Sequence, residues 1–330
     1  EVDSGSMINS NGADITIGGG VDPTSTPAVG TTLAPTGVSV FGTVMSGAGN
    51  ISVRGQGLDL DAAVGDADGV LLEGTIDTTT GNISLFGTGG NTTGSGNDGV
   101  VLDFGVVGSN SGDVSILGLG GGSGAASNGV MLIDSGLITV TDGSIDISGT
   151  GSAGGTGAGI ALTTDGDVIE SLGSGAITLR GAGSGGSAGL QLSGAIGGVT
   201  AAGNIMLVSD TLELLGPLAY IEGTGDLVIQ PMDHTVSIGI GGAVGTLNIY
   251  DAELNLLSDG FSSITMGDAS AGSGAVAVDS AAVQDPVTIV GGSISVDNGI
   301  SGSGGIILTA RDDNSAGQDI AINSGVISDT

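Results

Sequence analysis

The chain has 330 residues, of which 70 are glycine, 6 are proline and none is cysteine. Glycine does not recur at every third position, which excludes a collagen triple helix, and the lack of cysteine excludes disulfides and thiolate metal sites. Asp and Glu outnumber Lys and Arg by 35 to 3, for a net charge of −32. Too few cations remain to bind nucleic-acid phosphates or an anionic membrane surface. No apolar run is long enough to span a membrane.

Residues 1–44 are predicted to form an irregular N-terminal coil. A short strand is expected at 14–17, where Ile15 and Ile17 alternate with polar residues. Three prolines follow within thirteen residues, at Pro23, Pro27 and Pro35, and they predict an excursion from the coil. The chain begins with Glu1 rather than Met, which we interpret as a mature or excised segment of a longer secreted chain.

Residues 45–200 contain an internal repeat. A phrase of the form Gly-apolar-x-Leu begins, at intervals of 30 residues, at Gly69, Gly99, Gly129, Gly159 and Gly189. A second apolar phrase, followed by Gly-x-Gly in the first five copies, begins at Ile51, Ile83, Val114, Ile145, Ile177 and Ile205. Apolar and variable residues alternate within both phrases, as in a half-buried strand.

Identical short strands at a fixed period favour an all-β parallel solenoid with coils of about 30 residues, in which equivalent strands stack about 4.8 Å apart. The rival is a β-sandwich, whose strands usually follow at shorter intervals without a long repeat. Single coils bury too few side chains to fold alone, so neighbouring coils must share hydrogen bonds and packed side chains.

Residues 201–330 keep the strand pattern with a blurred period, and we predict a less regular continuation of the solenoid. Asp251 to Gly260 has helical character, with Asp251 as the expected N-terminal cap and Gly260 as the C-terminal one. Strands are predicted at 227–229, 236–238, 246–249, 263–266, 287–289, 294–296, 306–308 and 320–322.

Several phrases resemble the repeats of filamentous-haemagglutinin-like secreted bacterial surface proteins. They include Gly81 to Gly90, Gly241 to Ile249, Phe261 to Gly267 and Gly302 to Ala310, and the resemblance covers roughly residues 45–330. It implies a right-handed parallel β-helix that is secreted to the bacterial cell surface or into extracellular material. It is specific for architecture and poorly specific for function.

Acidic pairs are the candidate metal ligands, because turns that carry carboxylates suit Ca²⁺. They are Asp59, Asp61, Asp66, Asp68, Asp165 and Asp167. The nonapeptide of calcium-binding β-rolls and a complete EF-hand loop are both missing, so a solvated acidic turn is the competing interpretation. No other cofactor is expected.

Two apolar stripes are predicted on the outside of the stacked coils, where contiguous apolar surface usually marks a partner. One consists of Leu71, Val101 and Met131, and the other of Phe86 and Leu117. A loop folded over the first stripe is the alternative. Neither end of the chain has the polar sequence of a capping coil, so Ile15, Ile17, Ile320 and Ile322 are predicted at open strand edges that favour self-association.

The preferred hypothesis is therefore a non-enzymatic structural solenoid that associates head to tail, laterally, or with neighbouring segments of a longer chain. The alternative is an adhesion module that binds surface glycans or Ca²⁺. A polysaccharide-acting enzyme is third, since carboxylate pairs suffice for glycoside hydrolysis. The single histidine, His234, lies in a predicted turn and gives little basis for catalysis.

Overall fold

The computed structural model describes residues 1–60, 62–216, 220–311, 318–325 and 327–329. Apart from one short helix, its regular elements are strands. The first part of the chain forms β1 (Met7–Asn9), β2 (Ile15–Ile17), β3 (Ala28–Val29), β4 (Val38–Val40), β5 (Thr43–Gly47), β6 (Ile51–Gln56), β7 (Val70–Leu72), β8 (Thr75–Thr78), β9 (Ile83–Thr88), β10 (Val100–Asp103), β11 (Val106–Ser109) and β12 (Val114–Leu119).

The middle part continues the same pattern. It forms β13 (Val130–Ile133), β14 (Leu137–Val140), β15 (Ile145–Thr150), β16 (Ile160–Leu162), β17 (Val168–Ser171), β18 (Ile177–Ala182), β19 (Leu190–Leu192), β20 (Ala195–Gly197), β21 (Ile205–Val208), β22 (Leu212–Leu214), β23 (Ile221–Glu222) and β24 (Asp226–Gln230). The last part forms β25 (Ile238–Gly241), β26 (Leu247–Ile249), α1 (Asp251–Leu254), β27 (Ser263–Met266), β28 (Ala275–Ala282), β29 (Val287–Gly291), β30 (Ser293–Gly302), β31 (Ile306–Ala310), β32 (Ile320–Ile322) and β33 (Ile327–Asp329).

The strands stack into long parallel sheets, which confirms the predicted all-β parallel solenoid. Sheet A has the order β4-β7-β10-β13-β16-β19-β22, and sheet B has the order β1-β5-β8-β11-β14-β17-β20-β23. Sheet C runs β2-β6-β9-β12-β15-β18-β21-β24-β27-β29-β31, with β3 also paired to β6. Each regular coil passes through sheets A, B and C in turn.

The register is the one that the two repeated phrases predict. Val100 lies beside Val70 and Val130 in sheet A, and Val114 lies beside Ile83 and Ile145 in sheet C. Equivalent residues of successive repeats are therefore direct neighbours. Because one face of each strand is apolar, a slip of one residue would expose the core side chains, which fixes this register.

The core is a column of aliphatic side chains between the sheets. One coil contributes five almost completely buried residues, Val100, Leu102, Val107, Val114 and Ile116. The same positions are apolar in the neighbouring coils, and the whole set forms one continuous cluster from Val2 to Ile300. Aliphatic side chains fill almost all of this narrow interior, and among the described residues Phe261 is its one aromatic ring.

Two columns of glycine lie in contact at one corner of the solenoid. One column is in the sheet C strands, and the other directly precedes the sheet A strands. A Cβ atom on Gly118 would lie 2.0 Å from the carbonyl oxygen of Gly129, and one on Gly87 would lie 1.9 Å from that of Gly99. Two backbones thus touch at this corner, where only glycine fits. This contact explains why both repeated phrases contain an unvarying glycine.

The proline-rich segment contains β3, in which Ala28 pairs with Gly55 of β6. Coils with three sheets extend beyond Thr200 to Gln230. Thereafter the chain alternates between sheet C and a sheet D of order β26-β25-β28-β30-β32, with β33 paired to β30. The period is blurred because the coil after Ile205 is short, with Ile205 paired to Leu227 only 22 residues further on, and because the later coils have two strands in place of three.

Two local predictions are wrong. Strand β25 begins at Ile238, so Val236 and Ser237 lie outside it. Helix α1 is shorter than predicted, and its N-cap is Tyr250, whose N–H donates to Glu253 Oε2 at 2.8 Å. Asp251 is therefore the first helical residue, and Gly260 lies beyond the C-cap Asn255.

Candidate functional sites

The first acidic cluster is divided between solvent and interior. Asp59 and Asp66 are exposed, whereas Asp68 is only 6% exposed. Asp61 lies outside the described residues. The three described carboxylates therefore do not share one accessible surface, and Asp68 instead accepts a hydrogen bond from the backbone of the next coil.

The second acidic pair is also split. Asp165 is exposed, whereas Asp167 is buried and accepts four backbone hydrogen bonds. The N–H groups of Ser135 and Gly136 donate to its Oδ1 at 3.1 and 2.9 Å. Those of Thr163 and Thr164 donate to its Oδ2 at 2.9 and 2.8 Å. Asp167 thus ties two adjacent coils together and has little lone-pair capacity left for a cation.

Within the described ranges, no group of three or more His, Cys, Asp or Glu side chains is placed to hold a metal ion. Calcium binding by the acidic turns stays a prediction that a solution experiment must decide.

A buried ladder of three side-chain oxygens links four successive coils. The Asp98 N–H donates to Asp68 Oδ1 at 2.9 Å, the Asn128 N–H donates to Asp98 Oδ1, and the Ala158 N–H donates to Asn128 Oδ1 at 2.8 Å. All three ladder side chains are buried. The sequence signal was present, because each residue directly precedes the glycine of a repeated phrase, but sequence reasoning missed it.

The two carboxylates of this ladder have unusual acidity. Burial raises the pKa of Asp98 to about 7, although its hydrogen bonds with Asn128 oppose the shift. Burial, together with the nearby charge of Asp98, raises the pKa of Asp68 well above its ordinary value. Both effects disfavour the ionised carboxylate.

A second ladder lies at the surface, before the strands of sheet C. The N–H of Asn50 donates to Asp14 Oδ1, and that of Asn82 donates to Asn50 Oδ1, at 2.8 and 2.9 Å. The series continues with Asp113 donating to Asn82 Oδ1 and Ser144 donating to Asp113 Oδ1. These side chains satisfy backbone groups of the next coil at the turn.

The stripe of Leu71, Val101 and Met131 exists as a register column in sheet A. Leu71 and Met131 are half-buried, but Val101 is buried. The smaller Val101 lies between two longer side chains, which accounts for its low exposure. The stripe therefore offers less apolar surface than the sequence suggests.

The second stripe is more accessible. Phe86 and Leu117 are neighbours in sheet C; Phe86 is half-buried and Leu117 is 40% exposed. On the other side of Phe86, the Arg54 guanidinium carbon lies 5.3 Å from the ring centroid, a cation–π distance. The arginine covers part of the ring.

The predicted edge residues differ between the two ends. Ile15 is buried and Ile17 is half-buried, because both still face the core of the first coil. Ile320 and Ile322 are 43% and 55% exposed. The exposed apolar side chains near the other end are instead Met7 and Ile8 of β1, which the sequence analysis did not select.

His234 contacts a buried carboxylate, with Nδ1 2.8 Å from Asp268 Oδ2. Ser270 Oγ donates to the other oxygen of the same carboxylate at 2.7 Å. The carboxylate therefore lies between serine and histidine, whereas a nucleophilic triad needs the histidine in the middle. Hydrogen bonds from Ser270, Ala271 and His234 hold the pKa of Asp268 below its ordinary value in spite of burial.

Searches of protein-family models, curated proteins and solved structures found no match to this chain. Among the described residues, no helix is long and apolar enough to cross a membrane.

Proposed function

We propose that this chain is a non-enzymatic structural solenoid of the bacterial exterior, acting as a segment or subunit of a surface filament, sheath or adhesin stalk. The main support is the unbroken parallel ladder of sheet C from Ile15 to Ala310. Eleven strands along this path, at about 4.8 Å per step, give a rod of roughly 50 Å. In such a repeat each additional coil makes the rod longer and is held rigidly by the ladder of its neighbours. The extracellular location rests on the resemblance of the repeats.

The ends of the rod support association with further coils. Within the described residues, β2 pairs with one strand, β6, and β31 pairs with one strand, β29. Near these ends Met7 is 63% exposed, and Ile320 and Ile322 remain accessible. An open parallel edge is a template for another strand. Because the two ends differ, contact between copies is head-to-tail and does not close, so it produces a filament.

Electron microscopy and light scattering of the purified chain test this proposal. The native chain is expected to form filaments once salt screens its charge, whereas Ile320→Lys combined with Ile322→Asp should abolish them. The matched control, Val199→Lys with Leu172→Asp, places the same charges on exposed residues in the middle of the rod and should assemble normally.

Two results would overturn the proposed contact. Either the native chain forms no filaments at any ionic strength, or the edge variant forms filaments as long as the native ones. In the second case the lateral stripe of Phe86 and Leu117 becomes the next surface to mutate.

A further inference from the structure

A cleft opens beside helix α1, at the carboxyl-terminal part of the solenoid, and nothing in the proposed assembly uses it. It has a volume of about 390 Å³, within the usual range for small-ligand sites. Leu254 and Val283 line it and are almost completely buried, so they form an apolar floor. The polar lining residues are Asn255, Asp259, Gln284, Ser301 and Ser303.

Several of these polar groups are available to a ligand. Within the described part of the chain, no side-chain hydrogen bond involves Gln284, Ser301 or Ser303, and Gln284 and Ser303 are exposed. The Asn255 Nδ2 donates to the Asp251 carbonyl at 2.7 Å, which leaves its Oδ1 as an acceptor. Amide donors, hydroxyls and a carboxylate thus converge on one cleft.

One wall is held in place by a buried carboxylate. Asp285 accepts hydrogen bonds from the N–H groups of Gly260 and Phe261, both at 3.1 Å. The nearby cleft carboxylate, Asp259, interacts electrostatically with Asp285. Burial raises the pKa of Asp285, and the nearby charge of Asp259 adds to this shift.

The backbone departs from regular pairing directly beside the cleft. The register of β28 and β30 shifts between Asp279 and Ala281, and Ser280 and Asn298 both have left-handed φ angles, of 56° and 57°. Bulges and left-handed non-glycine residues concentrate near functional sites. A second depression, lined by Ser280 and Asn298, shares Ala282 and Ser301 with the cleft, so the two adjoin, and we refer to them together as the groove.

We infer that this groove binds an uncharged oligosaccharide. Amide, hydroxyl and carboxylate groups recognise sugar hydroxyls, and the apolar floor suits the C–H face of a pyranose ring. The net charge of −32 opposes polyanionic sugars. Because none of the described residues that line the cleft is aromatic, we expect a dissociation constant of about 1 mM, or roughly −4 kcal/mol.

Saturation-transfer difference NMR on the purified chain provides the test, with cellotetraose, maltotetraose, chitotetraose and tetragalacturonate as probes. At least one neutral tetrasaccharide should show transfer, and tetragalacturonate should not. Gln284→Ala should weaken binding about three- to tenfold, the effect of losing a hydrogen bond. The control Gln230→Ala, on the outer face of sheet C, should leave binding unchanged.

The inference is overturned if no neutral probe binds, if tetragalacturonate binds as well as the neutral sugars, or if Gln284→Ala binds like the native chain. Filament formation by Gln284→Ala is measured in parallel and should be normal. Loss of sugar binding with intact filaments, or the reverse, separates the failure of this inference from failure of the proposed assembly.

Discussion

Aspartate outnumbers glutamate by 29 to 6, and the hydrogen bonds of individual residues give the physical reason. Asp167 and Asp98 accept backbone N–H groups from adjacent coils, and Asp210 does the same for Met232 and Asp233. The short side chain reaches the next coil, about 4.8 Å away, without losing much rotamer freedom. Many aspartates of this chain therefore serve as hydrogen-bond acceptors for backbone N–H groups at turns.

Asp98→Asn is predicted to stabilise the protein at neutral pH. Asparagine retains the acceptor oxygen, as Asn128 does one coil further on, and it removes the cost of ionising a residue that is 3% exposed. Because the folded pKa of about 7 lies above the unfolded value of 3.8, native stability falls as pH rises from about 4 to 7. The gain from the variant should grow over this interval and then level off, at on the order of 2–4 kcal/mol.

Urea unfolding of both proteins between pH 5 and pH 8.5 measures this gain. The matched control is Asn128→Asp, which places a third carboxylate in the same ladder and should destabilise the protein with the same pH dependence. A gain from Asp98→Asn that is equal at pH 5 and pH 8.5 would show that Asp98 is ionised in the folded protein throughout.

Among the structural elements, the corner between sheets C and A tolerates least change. Gly118→Ala places a Cβ atom 2.0 Å from a backbone oxygen, and the two backbones can separate only by breaking ladder hydrogen bonds. We expect the free energy of unfolding to fall by about 3 kcal/mol or more.

Gly198→Ala is the matched control, because a Cβ atom there would have its nearest contact at 3.4 Å and the backbone is not left-handed. This variant should change the free energy of unfolding by less than about 1 kcal/mol. Thermal unfolding measures both, and equal costs would contradict the close contact.

The same corner explains how far the elements were predictable. The glycines and the alternating apolar residues are consequences of stacking, so their period predicted the sheet A strands from β7 to β19 and the sheet C strands from β6 to β21, with their register. The sheet B strands between them carry neither phrase and were not predicted as strands. β22, β23 and β28 were missed, because their coils have no glycine phrase at constant spacing. Strand β28, for example, is rich in alanine and alternates only weakly.

The sites were less predictable than the elements. A sequence shows that Asp66 and Asp68 are close in the chain but not that one faces water and the other the interior. The ladder of Asp68, Asp98 and Asn128 depends on contacts between residues 30 positions apart. The cleft beside α1 assembles Asn255, Gln284 and Ser303 from separate coils, and no local motif marks that arrangement.

For the whole molecule, the dominant long-range force is the repulsion of uncompensated charge. Two of the three arginines are engaged elsewhere: Arg54 lies over Phe86, and Arg311 donates to the Ala269 carbonyl. In the described part of the chain no Arg side chain forms a salt bridge, and the one contact of a histidine with a carboxylate is His234 Nδ1 with Asp268 Oδ2. The net charge of −32 is therefore balanced mainly by ions in solution, and copies of the chain repel one another at low salt.

Both thermal stability and filament formation should consequently rise with ionic strength. The screening length falls from about 10 Å at 0.1 M to about 3 Å at 1 M, which is shorter than the step between two coils. Because Asp167 is saturated by backbone donors and Asp68 is buried, screening alone predicts that Ca²⁺ and Na⁺ act alike at equal ionic strength. Calorimetry and light scattering during a Ca²⁺ titration at constant ionic strength make the comparison, with Mg²⁺ as the control ion.

A melting temperature that rises with Ca²⁺ and not with Mg²⁺ would contradict pure screening, because a ligand specific for the folded state stabilises it by mass action. Asp59 and Asp66 would then be the first carboxylates to test as ligands.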